Sequence, residues 1–208
     1  MLTDTIQTVT DWLTKNVCSK LEMKLPDDYK NDNEYGVRRV HPVAFPLFVP
    51  GKDRLPPKVP APVPSVCVQL MEGSDDLFKR ERTLELRFVL ASWNPGTHGD
   101  EMYWPRKIKE GLIGYNYFVK DDEDLQTYSR NMEGWKESMN FQDSVISALE
   151  KTEFIADCRI VKEEGIKFGL FIEDGDICDY YPYWHSWITF RLQTGLKQIS
   201  PADYSKYL

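Results

Sequence analysis

The sequence predicts an α+β domain: a mostly antiparallel sheet with an N-terminal helix and one long helix packed on one face, plus long proline-rich and aromatic-rich loops. Three observations carry this expectation. Two stretches recur with helical spacing, near the N-terminus and at 133–151. Several stretches alternate apolar and polar residues, and they come in runs rather than in regular strand–helix alternation. The segments between them are rich in proline, tyrosine or charge.

The first helix is expected over 3–17. Leu2, Ile6, Val9 and Leu13 fall on one stripe, and Thr3 or Asp4 supplies an N-cap oxygen. "LEMKL" at 21–25 reads as a short strand, and polar residues 26–41 as a loop. Residues 42–64 hold eight of the thirteen prolines. Proline lacks a backbone donor and favours polyproline II, so an extended arm is expected there, with Pro56 and Pro57 at its centre. Deleting residues 50–64 is expected to leave the fold intact but to weaken assembly.

"SVCVQLME" (65–72) and "TLELRFVLA" (83–91) read as two strands of an antiparallel hairpin, joined by a polar turn. In the second, Leu84, Leu86, Phe88 and Leu90 alternate with Glu85 and Arg87. "NPG" (94–96) stops that strand. Residues 97–130 show no sustained period and read as a long loop insertion, with Trp104 inside it. Over 133–151, Trp135, Met139, Val145, Ile146 and Leu149 are expected on the buried face. Lys136, Glu137, Gln142 and Asp143 are expected to point away.

"DCRIV", "IKFGLFIE" (166–173) and "SWITFRLQ" (186–193) are the closing strands, with "EDGD" as a turn. Residues 1–195 then form a single domain, and 196–208 a C-terminal tail.

Composition narrows the function. The 208 residues are 41% hydrophobic, enough for one real core. Net charge is −7, which does not suit a surface built to hold phosphates. The four cysteines, at 18, 67, 158 and 178, form no C-x-x-C pair and read as buried thiols in a reducing compartment. No basic region precedes an apolar run at the N-terminus, and no apolar run reaches membrane-spanning length.

Chemistry-bearing motifs are missing. There is no G-x-S-x-G, G-x-G-x-x-G, Walker-type loop or H-E-x-x-H. His41, His98 and His185 lie far apart in sequence. Asp174, Asp176 and Asp179 lack the glycine and distal glutamate positions of a calcium loop, and read as a solvated turn. No catalytic, cofactor-binding or metal residue is therefore assigned. An enzyme of another type would draw on Asp100, Glu101 or Asp124 in the long loop. A monomeric adaptor would offer the proline arm to a partner domain.

One stretch stands out. "DYYPYWHSW" (179–187) concentrates five large aromatic residues around Pro182. Proline there is suited to starting a strand at or near a sheet edge. Two readings stand: all these rings fill the core of one domain, or Tyr181, Tyr183 and Trp187 share a contact with a neighbouring subunit or partner, to which Pro56, Pro57 and Trp104 are the other candidate contributors.

Three segments, in this order, resemble the tail terminator, or tail completion (collar), proteins of tailed phages, prophages and phage-tail-like bacteriocins. They are "PSVCVQLMEGSDD" with "LELRFVLASWNPG", then "NMEGWKESMNFQDSVISAL", then "YPYWHSWITFRLQ". Together they cover about half the chain. Ser186 departs from the family's usual glycine, and Glu137 from its usual aspartate.

The resemblance implies a structural virion protein. It would form a ring, typically six-fold, on the head-proximal end of a tail tube. It would end polymerisation and anchor sheath or neck. DNA would at most pass through the lumen, no membrane would be involved, and assembly would take place in the bacterial host cytoplasm.

Overall fold

The computed structural model describes residues 2–26, 38–94, 134–177, 180 and 182–196. These residues form an α+β fold with a mostly antiparallel sheet and two α-helices.

Helix α1 (Leu2–Asn16) buries Ile6, Val9, Thr10 and Leu13; of the predicted stripe Leu2, at the helix start, is exposed, and Thr10 joins the buried face. Thr10 is tolerated inside because its hydroxyl donates to the Ile6 carbonyl at 2.8 Å. Strands β1 (Met23–Lys24) and β2 (Arg39–Val40) form a small antiparallel pair. The second of these lies inside the segment expected to be all loop.

The main sheet begins with β3 (Val43–Pro46), which runs parallel to β4 (Ser65–Asp76) and buries Phe45. This corrects the extended arm. Residues 42–64 do not hang from the fold: the first part is a strand, and the rest is the crossover that returns the chain to a parallel neighbour. A parallel pair needs a connection of about a dozen residues or more. Removing 50–64 would therefore cut the connection that the parallel β3–β4 pair depends on, and is expected to disturb the fold itself. The crossover carries a 3₁₀ turn at Lys52–Arg54 and a left-handed Lys58 (φ 75°), so it is not one continuous polyproline II helix.

Strand β4 forms a hairpin with β5 (Glu81–Trp93), and β11 (Tyr183–Gly195) pairs antiparallel along the whole of β5. Both hairpin strands outrun their predicted bounds, because 72–76 and 81–82 pair in spite of their polar sequence. Cross-strand pairs stand in for burial there. Arg82 makes a bidentate pair with Asp75 (2.6 and 2.7 Å), Gln193 donates to Glu81 (2.8 Å), and Arg191 donates to Glu85 (3.1 Å) and to Glu164.

Helix α2 (Trp135–Lys151) follows residue 134. The short strands β6 (Phe154–Ile155) and β7 (Cys158–Ile160) form a hairpin, and β7 pairs with β11 near its C-terminal end. Strand β8 (Lys167–Leu170) pairs with β11 at Ser186–Thr189. Strands β9 (Ile172–Glu173) and β10 (Asp176–Ile177) close the turn predicted from "EDGD". Asp174 (φ 51°) and Gly175 (φ 92°) are both left-handed, as a two-residue Asp-Gly hairpin turn requires. The single strand expected over 166–173 is thus two, broken at Phe171.

One core joins both helices to one face of the sheet. It is filled by Val66 and Val68 of β4, Leu84 to Leu90 of β5 on alternate positions, and Ile188, Phe190 and Leu192 of β11. Each such side chain contributes roughly 1.5–3 kcal/mol by leaving water. Phe88 and Phe190 meet edge-to-face at 4.9 Å between ring centres. Cys18, Cys67 and Cys158 are buried free thiols, and burial raises all three thiol pKa values. Among the described residues no helix is long and apolar enough to cross a membrane.

The buried face of α2 is Ser138, Phe141, Gln142, Val145 and Leu149. Two expectations are overturned. Trp135 is 45% exposed, with the Lys136 ammonium 5.9 Å from its ring centre. Gln142, expected outside, is buried. Its amide donates to the carbonyls of Trp187 (3.0 Å) and Gly169 (3.2 Å), tying β8 and β11 to the helix.

A candidate interaction surface at the corner of the sheet

The aromatic stretch before β11 divides into inward and outward groups. Tyr183 donates its backbone N–H to the Tyr180 carbonyl (2.8 Å), closing a turn across Pro182, and Pro182 accepts from the Asn94 N–H (3.0 Å). Tyr180 and Tyr183 are exposed. Trp184, His185 and Trp187 are half-buried and held in place.

Trp184 Nε1 donates to the Asn94 carbonyl at 2.8 Å. Trp187 lies on the sheet face away from the helices, opposite Gly169 of β8. Its indole covers that glycine so closely that an added methyl would sit 3.2 Å from the ring. Its Nε1 donates to the Leu170 carbonyl (3.0 Å), and the Arg87 guanidinium stands 5.9 Å from the ring centre. The His185 ring meets Tyr180 and Phe171 edge-on, at 5.6 and 6.3 Å between centres. Burial there lowers the imidazole pKa below its usual value.

Beneath the corner lies a polar knot. Lys24 Nζ donates to Asn94 Oδ1 (2.8 Å), Asn94 Nδ2 donates to Glu137, and Glu137 Oε1 accepts the Lys24 backbone N–H (3.2 Å). Burial lowers the Lys24 pKa, while the Glu137 carboxylate acts against that shift. Glu137, expected on the wet face, is therefore a partly buried acceptor. Gly134 packs on Asn94 so tightly that a Cβ would stand 1.9 Å from the Asn94 carbonyl oxygen. The knot joins β1, the end of β5, the start of α2 and the start of β11.

The predicted contact residues land differently. Tyr183 is exposed at the corner, and Trp187 is half-buried beside it, serving β8 through its indole. Pro56 and Pro57 are exposed in the crossover between β3 and β4. Tyr181 and Trp104 lie outside the described residues, as do Asp100, Glu101 and Asp124.

Sequence reasoning missed the rest of the surface. Phe168, Ile172 and Ile177, on β8 to β10, are each more than half exposed. At the distal end of the long hairpin, Leu77 is 79% and Phe78 97% exposed. Asp76 Oδ1 holds that tip by accepting the backbone N–H groups of Phe78 (3.0 Å) and Lys79 (2.9 Å). The available signal was "DDLFKR": two large apolar residues where a turn asks for glycine or asparagine.

Among the described residues no group of three or more His, Cys, Asp or Glu side chains could hold a metal. Arrays of exposed apolar side chains on ordered strands and turns are suited to contact with other protein surfaces. No family model, curated protein or solved structure matches the chain.

Proposed function

We propose that the chain is a structural subunit of a phage tail or phage-tail-like particle. It caps the head-proximal end of the tube as a ring, ends polymerisation and anchors sheath or neck. The observation that carries this reading is the hairpin tip. A pair of large apolar side chains, set on an ordered turn at the end of a twelve- and a thirteen-residue strand, is built to engage another protein.

The three segments that resemble tail terminators support it. They are neighbours in the fold: β4 and β5, α2 packed over β5 and β11, and β11 itself. The net charge of −7 suits a ring around a DNA path, since like charge keeps DNA from adhering.

The physical task is one of unequal faces. A tube grows because each layer offers a surface that accepts the next. A terminator matches the tube on one face and refuses another layer on the opposite face. The test is negative-stain microscopy of particles made with and without this chain. Tails of uniform length with it, and over-long or ragged tails without it, are expected. Unchanged tails in its absence would refute the reading.

A further inference from the structure

We propose that the two edges of the sheet are the two halves of one contact between copies of this chain: Leu47, Phe48 and Met71 beside β3–β4 of one copy meet Phe168, Ile172 and Ile177 of the next. The inference rests on the ring reading above, and it names the surfaces that would close the ring.

The register places these groups. A row of paired residues crosses the whole sheet: Pro46, Val68, Phe88, Ile188 and Phe168. Leu47 and Phe48 follow Pro46 at one end of that row, and Phe168 is its other end. Leu47 is tied to the sheet by its N–H to the Val68 carbonyl (2.8 Å), and Met71 sits at the bulge of β4 a few residues on. All six side chains are exposed. Among the described residues neither β3 nor β8 has a strand partner on its outer side.

Two different apolar patches at the same level on opposite edges cannot pair isologously. They pair head to tail, and a head-to-tail contact makes a ring when its rotation closes after a whole number of copies and an open filament when it does not; the ring reading above requires closure. Charge agrees with this pairing. The crossover beside Leu47 carries Lys52, Arg54 and Lys58 against one carboxylate, Asp53, while the β9–β10 turn beside Ile172 carries Glu173 and Asp174. Opposite charges at the rim steer and register such a contact. The pairing direction lies across the strands, so the hairpin tip, which projects along them, stays available to a different layer.

The test uses the full chain carrying Phe48→Cys and Phe168→Cys together, in a Cys178→Ser background. It is oxidised both as purified protein and within particles that contain it. A ladder of covalent multimers on a non-reducing gel is expected from the double variant. Each single variant should give almost none. No ladder in either preparation, or self-dimers from Phe168→Cys alone, would overturn the contact. A ladder together with normal tails in particles lacking the chain would uphold the contact and sink the terminator reading. No ladder, together with over-long or ragged tails in particles lacking the chain, would do the reverse.

Discussion

Gly134→Ala sets two physical effects against each other with opposite signs. Gly134 has φ −55° and ψ −31°, ordinary helical values that alanine adopts without strain. The lost freedom of the unfolded chain therefore predicts a gain of up to about 1 kcal/mol for alanine. The packing predicts a loss. The new methyl would stand 1.9 Å from the Asn94 carbonyl oxygen, 2.9 Å from its carbon and 3.1 Å from Trp184 Nε1.

Relief needs a backbone shift of more than an ångström, at a residue that is fixed on several sides. Asn94 donates to Pro182, accepts from Trp184 and from Lys24, and donates to Glu137. Overpacking of this kind costs about 1–3 kcal/mol, and each part-buried hydrogen bond it breaks adds about 1 kcal/mol. The net expectation is a destabilisation of about 2–4 kcal/mol. Urea unfolding followed by tryptophan fluorescence should show a midpoint lowered by about 1–2 M with the slope unchanged. Gly195→Ala, where nothing lies within 4 Å, is the control and should move little. A Gly134→Ala midpoint equal to or above that of the parent would refute the reasoning.

Four further outcomes are expected. Gln142→Leu removes a side-chain donor to the Trp187 and Gly169 carbonyls, and should cost about 1–3 kcal/mol, with hydrogen exchange in β8 rising first. Trp135→Ala should cost less than about 1 kcal/mol, whereas Phe141→Ala, in the core, should cost about 3–5 kcal/mol by the same unfolding assay. Deleting 50–64 leaves three residues to span a parallel crossover; β3 should detach and Phe45 become exposed, seen as lost protection of 43–46 and lowered stability. His185, whose pKa is lowered by burial, is held neutral when folded, so the unfolded chain binds the proton more readily. Its contribution should be complete above pH 6.5 and decline as pH falls below that; His185→Phe should flatten this acid limb of a stability–pH curve, and an unchanged limb would exclude His185 as its source.

Where a strand or helix has one wet and one dry side, the sequence announced it. Ile6, Val9 and Leu13, and the alternating leucines of β5, are such cases. Three features lacked that contrast. The distal hairpin has no buried side, so polar residues 72–76 carried no alternation to read. The α2 face was misread because it is lined by Ser138 and Gln142: small or hydrogen-bonded groups fit where the helix meets the sheet, and a large Trp135 does not. β3 hides between Pro42 and Pro46, and edge strands tolerate proline.

The candidate surface was half legible. Tyr183 could be picked out from its aromatic neighbours, whereas Phe168 and Ile172 lay unremarked in the strand expected over 166–173. Only the register shows that their strand ends the sheet.

The buried thiols give the molecule three native clocks. Cys18 follows α1, Cys67 lies in β4 and Cys158 in β7, with the first two pushed up to about 12 and about 11. Only a thiolate reacts quickly with alkylating reagents, so each of these is silent while its element stays closed. The rate at which each becomes alkylated therefore times the opening of a different part of the fold. If the sheet edge opens before the helix layer, Cys158 and Cys18 will record the order without a single engineered probe.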